Sequence, residues 1–270
     1  MNKKEIVSLA GEFINHSPNN FITKEAALNP KCINMRIYEP PIFAFGEADD
    51  ALYIKYKSAG VIGSHFLSPA EWLPTAKTVI SFFLPFTEPI KKANAIDCRW
   101  PADEWLHGRY EGQNLLLQLL EYLVKIISEA GFKSLAPSTH QRYKVGHIED
   151  SMKFTSNWSE RHIAYACGLG TFGLSKGIIT EKGMSGRLGS ILTTLDLPKD
   201  TRKYNDIYEY CTMCGVCIDR CPASAISFDG GKKSAICSDF LNNVGKKHNP
   251  RYGCGKCQVG VPCESEIPIK

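Results

Sequence analysis

The chain has 270 residues with a net charge of +4, and 43% of them are hydrophobic. A chain of this length buries roughly three quarters of its unfolded surface, so its 11 cysteines are not needed as the staples of a small secreted scaffold. The mild charge neither demands nor excludes an anionic partner, and no apolar run approaches the length of a membrane span.

Residues 3–15 place Ile6, Leu9, Ala10, Phe13 and Ile14 at helical spacing and predict an amphipathic opening helix. Neither a long apolar h-region nor a twin arginine follows Met1, so the expectation is a cytoplasmic protein. Residues 17–45, punctuated by Pro40-Pro41, read as irregular, and 47–59 as a short helix. Thr78–Leu84 is a β-branched and aromatic run ended by Pro85, a buried strand. Residues 86–102 read as a loop. The clearest helix covers 103–130, with Leu116, Leu119, Leu120, Leu123, Ile126 and Ile127 on one face and Gly131 as its stop. A strand at 132–136, a helix at 158–167 and a strand at 187–195 follow, an α/β rhythm.

From Tyr204 onward cysteines set the pattern. Cys211-x2-Cys214-x2-Cys217-x3-Cys221-Pro222 is the bacterial ferredoxin run for a [4Fe–4S] cluster, whose fourth cysteine serves a second cluster. The run is too dense for zinc knuckles. Four more cysteines complete eight, and the swapped-ligand pattern suggests a partition. Cys211, Cys214, Cys217 and Cys263 would hold one cluster; Cys221, Cys237, Cys254 and Cys257 would hold the other. Five residues separate Cys257 from Cys263 where two are usual, so either the extra residues loop out or the site is altered. Cys32, Cys98 and Cys167 are left over and read as small hydrophobes.

Gly168-Leu169-Gly170-Thr171-Phe172-Gly173 matches the dinucleotide fingerprint letter by letter. That fingerprint needs a strand before it and a helix after it. Here the order is inverted, so the segment reads as a glycine helix cap with a tight turn, or as backbone that approaches a flat, bulky ligand.

In this order, the glycine turn, then Arg187-Leu188-Gly189-Ser190-Ile191-Leu192-Thr193, then two ferredoxin cysteine sets, the chain resembles the epoxyqueuosine reductase and reductive dehalogenase superfamily. Trp72–Ile80 and Gly108-Arg109-Tyr110 are similar to that family's early strand and helix entry. The resemblance implies an α+β protein, with a nitroreductase-like α/β cofactor domain over 1–200 and a two-cluster ferredoxin-like domain over 201–270. It implies a base-off cobalamin against Gly168–Gly173 and Arg187, Gly189, Ser190 and Thr193, with His162 nearby. A flavin in place of cobalamin, or an electron-transfer or corrinoid-reactivating protein without its own substrate, are the alternatives.

The departures bear on substrate. The sequence ends at Lys270, without the helical-repeat extension that helps epoxyqueuosine reductases hold tRNA, so tRNA rests on the resemblance alone. Counting back by the family's spacing to its proton-donating Asp reaches Phe154, not an acid. Asp150, with Glu149 beside it, is the alternative donor, and Tyr110 is a second candidate. Arg161 would pair with a corrin carboxamide or phosphate. Lys232-Lys233 and Lys246-Lys247 would steer an acidic electron donor such as ferredoxin or flavodoxin.

Overall fold

The computed structural model describes residues 1–147 and 154–269. Helix α1 (Lys3–His16) opens on a reciprocal cap. Asn2 Oδ1 accepts from the Glu5 amide, and the Asn2 amide donates to Glu5. Its buried residues Ile6, Ala10 and Ile14 recur every four positions and form one face. Strand β1 (Ile42–Glu47), the short helices α2 (Leu52–Tyr56) and α3 (Pro69–Trp72), and strand β2 (Thr78–Pro85) follow. Helices α4 (Glu88–Ile96) and α5 (Asp103–Glu129) come next, then strands β3 (Ser134–Leu135), β4 (Val145–His147) and β5 (Phe154–Ser156). Helix α6 (Glu160–Cys167) leads into the hairpin of β6 (Gly170–Phe172) and β7 (Ile178–Thr180), and then into β8 (Gly186–Thr193). Beyond residue 200 lie α7 (Val216–Asp219), β9 (Ile226–Ser227), β10 (Gly231–Lys232) and α8 (Ser234–His248).

The main sheet runs β1-β2-β8-β3, and every pair in it is antiparallel. The architecture is therefore α+β. Strand β2 is central and buried along its whole length. Its alternation divides the core. Ile80, Phe82 and Leu84 face the cluster built by α1 and α5, while Val79 and Phe83 face the cluster built by α6, Trp158, Tyr53 and Trp72. Covering on both faces explains why the strand reads as a continuous apolar run.

Three elements depart from the sequence reading. Strand β1 begins inside the stretch expected to be irregular, 17–45, and runs on to Glu47; Pro40-Pro41 precede it and Gly46 interrupts its alternation. Helix α4 replaces the expected loop, with Pro89 at its permitted first-turn position. Helix α8 fills much of the cysteine segment. The expected helix at 47–59 contracts to α2 and the strand at 132–136 to β3. The residues beyond 200 pack on those before it. Arg251 pairs with Glu111, and Asn94 Nδ2 donates to the Cys254 carbonyl at 3.0 Å.

Phe82 is fully buried at the centre of the sheet, while Val7 on α1 is 38% exposed. Phe82→Ala is expected to cost about 3–5 kcal/mol in denaturant unfolding, against ~0.5 kcal/mol or less for Val7→Ala.

Candidate metal centre

The cysteine segment is placed by hydrogen bonds that tie its end to the start of β8. The Met184 amide donates to the Cys263 carbonyl at 3.0 Å, the Ser185 amide to the Glu264 carbonyl at 3.2 Å, and Ser185 Oγ to the Gln258 carbonyl at 2.5 Å. Gly183 makes this approach possible. A Cβ there would stand 2.3 Å from the Glu264 carbonyl oxygen. The result is one hollow lined by Cys211, Cys214, Cys217 and Cys263, with Gly173 and Leu174 of the glycine turn in its wall. Left-handed backbone at Met213 (φ 52°) and Gly215 (φ 80°) folds the run tightly enough to turn its thiols inward.

The other four cysteines form a second neighbourhood. Cys237 stands on α8, Cys254 and Cys257 bracket Lys256, and Cys257 lies in electrostatic reach of Cys237 and Cys221. The Ala225 amide points at Cys221 Sγ at 3.2 Å. Gly255 has φ 67°, and a Cβ there would meet the Trp105 ring at 1.9 Å, so this loop packs directly on α5. Burial, joined by neighbouring thiols, pushes Cys217, Cys254 and Cys263 up to about 12. These thiols hold their protons until a metal displaces them. Among the described residues no three His, Cys, Asp or Glu side chains converge on a single metal ion. A cube of four irons asks for something wider, since each thiolate binds its own iron. The eight cysteines are free of disulfides.

The leftover cysteines divide. Cys32 and Cys167 are buried core residues, as expected of small hydrophobes, whereas Cys98 is exposed.

The glycine turn is explained by its own fold. Gly168 caps α6 at φ 93°, and a Cβ on Gly170 would stand 2.1 Å from the Ile179 carbonyl oxygen across the β6–β7 hairpin. Leu169 is buried, the Phe172 amide donates to the Ile207 carbonyl at 2.7 Å, and Thr171 Oγ1 accepts from the Tyr210 amide at 2.9 Å. The turn therefore clamps the segment leading to Cys211. A helix precedes the fingerprint and a strand follows it, the inverted order that the sequence implied.

Along β8 the candidates spread out. Gly189 lies against Phe82, 2.5 Å from where its Cβ would be. Thr193 is fully buried and donates to the Lys133 carbonyl at 3.1 Å. Six residues of strand separate it from Arg187 by roughly 20 Å. Arg187 and Ser190 are nearer a second feature, Glu160. Glu160 Oε2 accepts from Ser190 Oγ at 2.6 Å, and Ser190 in turn accepts from Trp158 Nε1 at 2.9 Å. Among the described residues Glu160 Oε1 is buried with no close hydrogen bond, although the Ser138 hydroxyl lies near enough to favour the carboxylate, and burial pushes the carboxyl up to about 7.

Across from Glu160 stands Arg187, which donates to Gln113 of α5 and whose buried Nε finds no partner among the described residues. Arg109, one turn before Gln113, lies 5.2 Å from the Tyr252 ring centre, also with its Nε unpartnered. Burial, then the Arg187 charge, lowers Arg109 to about 9. Arg161 donates to the Lys176 carbonyl at 2.9 Å and is exposed, though protein encloses it enough that burial lowers its guanidinium. None of the three forms an ion pair among the described residues.

Tyr110 stands apart, its ring 5.7 Å from the Arg251 guanidinium. His162 is held by Ser159 at 2.8 Å between the rings of Tyr56 and Phe172, and burial with the Arg161 charge lowers it to about 4. Asp150 and Glu149 lie outside the described residues. Lys232 is half-buried beside Cys257 and Cys237, so it faces the second cysteine set and not the surface, because β10 turns it inward. Glu160 and Lys256 escaped the sequence reading, and so did the burial of Arg109 beside Arg187, since no motif marks a charge as buried.

A 4Fe–4S binding domain description matches residues 204–227. The epoxyqueuosine reductase of Bacillus cereus is 28% identical over 215 residues, 72% of this chain and 50% of that protein. The tetrachloroethene reductive dehalogenase of Desulfitobacterium hafniense is 36% identical over 114 residues, 40% of this chain and 21% of that one. The solved epoxyqueuosine reductase from Streptococcus thermophilus superposes with a TM-score of 0.57 at 19% identity, covering 100% of this chain and 69% of that one, a likeness of fold. The chain spans about half the length of the Bacillus cereus relative. No helix among the described residues is long and apolar enough to cross a membrane.

Glu160 and His162 oppose each other in pH. The folded Glu160 value of about 7 exceeds ~4.3 when unfolded, so its contribution is present below ~4.3 and lost as pH rises to 7. The folded His162 value of about 4 is below ~6.5 when unfolded, so its contribution is present above ~6.5 and lost as pH falls toward 4. Glu160→Gln should leave the His162 slope unopposed. Unfolding free energy should then rise more steeply from pH 4.5 to 6.5 than in the parent, by up to ~3 kcal/mol. Coincident pH profiles would contradict the assignment.

Proposed function

We propose, because the chain belongs to the superfamily of epoxyqueuosine reductases and reductive dehalogenases, that it is an iron–sulfur reductase acting on a small or nucleoside-type substrate. The observation that carries this reading is the gathering of Cys211, Cys214, Cys217 and Cys263 around one hollow, with the remaining four cysteines grouped beside it. Each group would hold one [4Fe–4S] cluster. A low-potential donor such as ferredoxin or flavodoxin would supply the electrons.

Base-off cobalamin would occupy the space that Arg109, Arg187, Arg161 and Glu160 border, between α5, α6 and β8. The unpartnered buried atoms Arg109 Nε, Arg187 Nε and Glu160 Oε1 fit a bulky group with a polar rim. When bound, its cobalt supplies a strong reductant and nucleophile. The guanidiniums would bind amide or phosphate oxygens of that rim. Ser190 and Trp158 would orient Glu160, which holds a proton near neutral pH at its carboxyl and is placed to release it. An epoxyqueuosine reductase has been crystallised with an epoxyqueuosine-modified tRNA-Tyr stem loop, which makes that nucleoside the first substrate to test.

Anaerobic reconstitution should yield about eight irons per chain and about four in Cys217→Ala. Cobalamin added to the reconstituted protein should give the absorption change of the base-off form, weakened at least ~tenfold in affinity by Arg187→Leu. Mass spectrometry should show reduction of the epoxide in a modified stem loop or free nucleoside. Four irons in the parent, or no cobalamin binding with a flavin spectrum instead, would overturn the respective halves.

A further inference from the structure

The two cysteine sets stand in opposite electrostatic surroundings. The hollow bounded by Cys211, Cys214, Cys217 and Cys263 has no Lys, Arg or His in its described wall. The charges that act most on Cys217 and Cys263 are other cysteines. The second set is ringed by cations. Lys256, between Cys254 and Cys257, is 0% exposed. Among the described residues its Nζ donates to uncharged acceptors, the Asn94 carbonyl at 2.8 Å and Asn94 Oδ1 at 3.2 Å. Among the described residues it forms no ion pair, and the exposed Asp97 acts on it only from a distance. Arg220 donates to the Lys256 carbonyl at 3.3 Å, adding a like charge. Lys232 bonds toward Cys237 and reaches Cys257, and Arg161 reaches both.

A fully buried ammonium with neutral partners is unfavourable unless a counter-charge lies close. A thiolate-ligated iron–sulfur centre is anionic and becomes more so on reduction, so neighbouring cations favour its reduced form. We propose that Lys256 and Lys232, with Arg161, are positioning charges that make the centre at the second cysteine set the higher-potential of the two. This rests on the two-cluster reading above. The first set is the entry point, since Cys214 is exposed and Met213 is 39% exposed. With both clusters bound, the first set would take one electron from a low-potential protein donor, and the second, beside Arg109 and Arg161, would accept it downhill. No bond forms or breaks in this transfer, and no proton is required.

The test is a mediated redox titration of the reconstituted full chain followed by electron paramagnetic resonance. The parent should show two one-electron waves, and Cys214→Ser, at the exposed first-set ligand, should perturb the lower one. Lys256→Met should move the upper wave to lower potential and leave the lower wave in place. At the parent's upper midpoint the reduced-to-oxidised ratio should fall about tenfold. Lys232→Gln, at a half-buried position that tolerates substitution more readily, should move the same wave in the same direction. Eight irons with both waves unmoved, or with the lower wave moving instead, would overturn the ordering alone. About four irons and a single wave would overturn the two-cluster reading and the ordering with it.

Discussion

Everything beyond residue 200 depends on the return of the 251–264 loop to the α/β sheet unit. Each set of four cysteines needs at least one member from this loop: Cys263 for the first, Cys254 and Cys257 for the second. The loop is fixed at several points. Amides of Met184 and Ser185 hold the backbone of Cys263 and Glu264. Asn94 holds the Cys254 carbonyl and takes the Lys256 ammonium. Arg251 pairs with Glu111 on α5 and donates to the Ala26 carbonyl at 2.9 Å. A cysteine segment too short to build its own core thus borrows rigidity from a sheet buried on both faces.

The same sheet places the buried charges that the cysteine segment does not use. Strand β8 begins where the loop docks and carries Arg187, while Ser190 three residues on holds Glu160 at the start of α6. Helix α5 brings Arg109 against Tyr252 of the returning loop. Two buried like charges whose Nε atoms find no partner among the described residues, and a carboxyl raised to about 7, are unfavourable on their own. Under the function proposed above they would form one wall of a ligand site beside the second cysteine set. The likeness to epoxyqueuosine reductases and this wall are compatible, although they come from unrelated observations.

The parts legible in the sequence were those that spacing alone determines. The ferredoxin run at Cys211–Cys221 needs only a count, and the helical context of Gly168 was enough to reject a dinucleotide site. The role of that turn was hidden, because Gly170 is required by Ile179 across a hairpin and Thr171 serves Tyr210, neighbours that sequence does not reveal. Strand β1 was masked by the prolines before it, and α4 by its short length and low apolar content. Cys263 was in doubt because of the five residues after Cys257; the structure carries Val259 and Val261 of that insertion into the core, and the chain still returns to the first set. Lys256 looked like any loop lysine. Its burial follows from Gly255 packing on Trp105, a contact across about 150 positions of chain.

Anomalous diffraction from crystals of the anaerobically reconstituted protein, collected at the iron absorption edge, tests the central claim most directly. The account predicts two separate iron centres per chain, one amid Cys211, Cys214, Cys217 and Cys263 and the other amid Cys221, Cys237, Cys254 and Cys257. A single centre, or one ligated across the two sets, would contradict it.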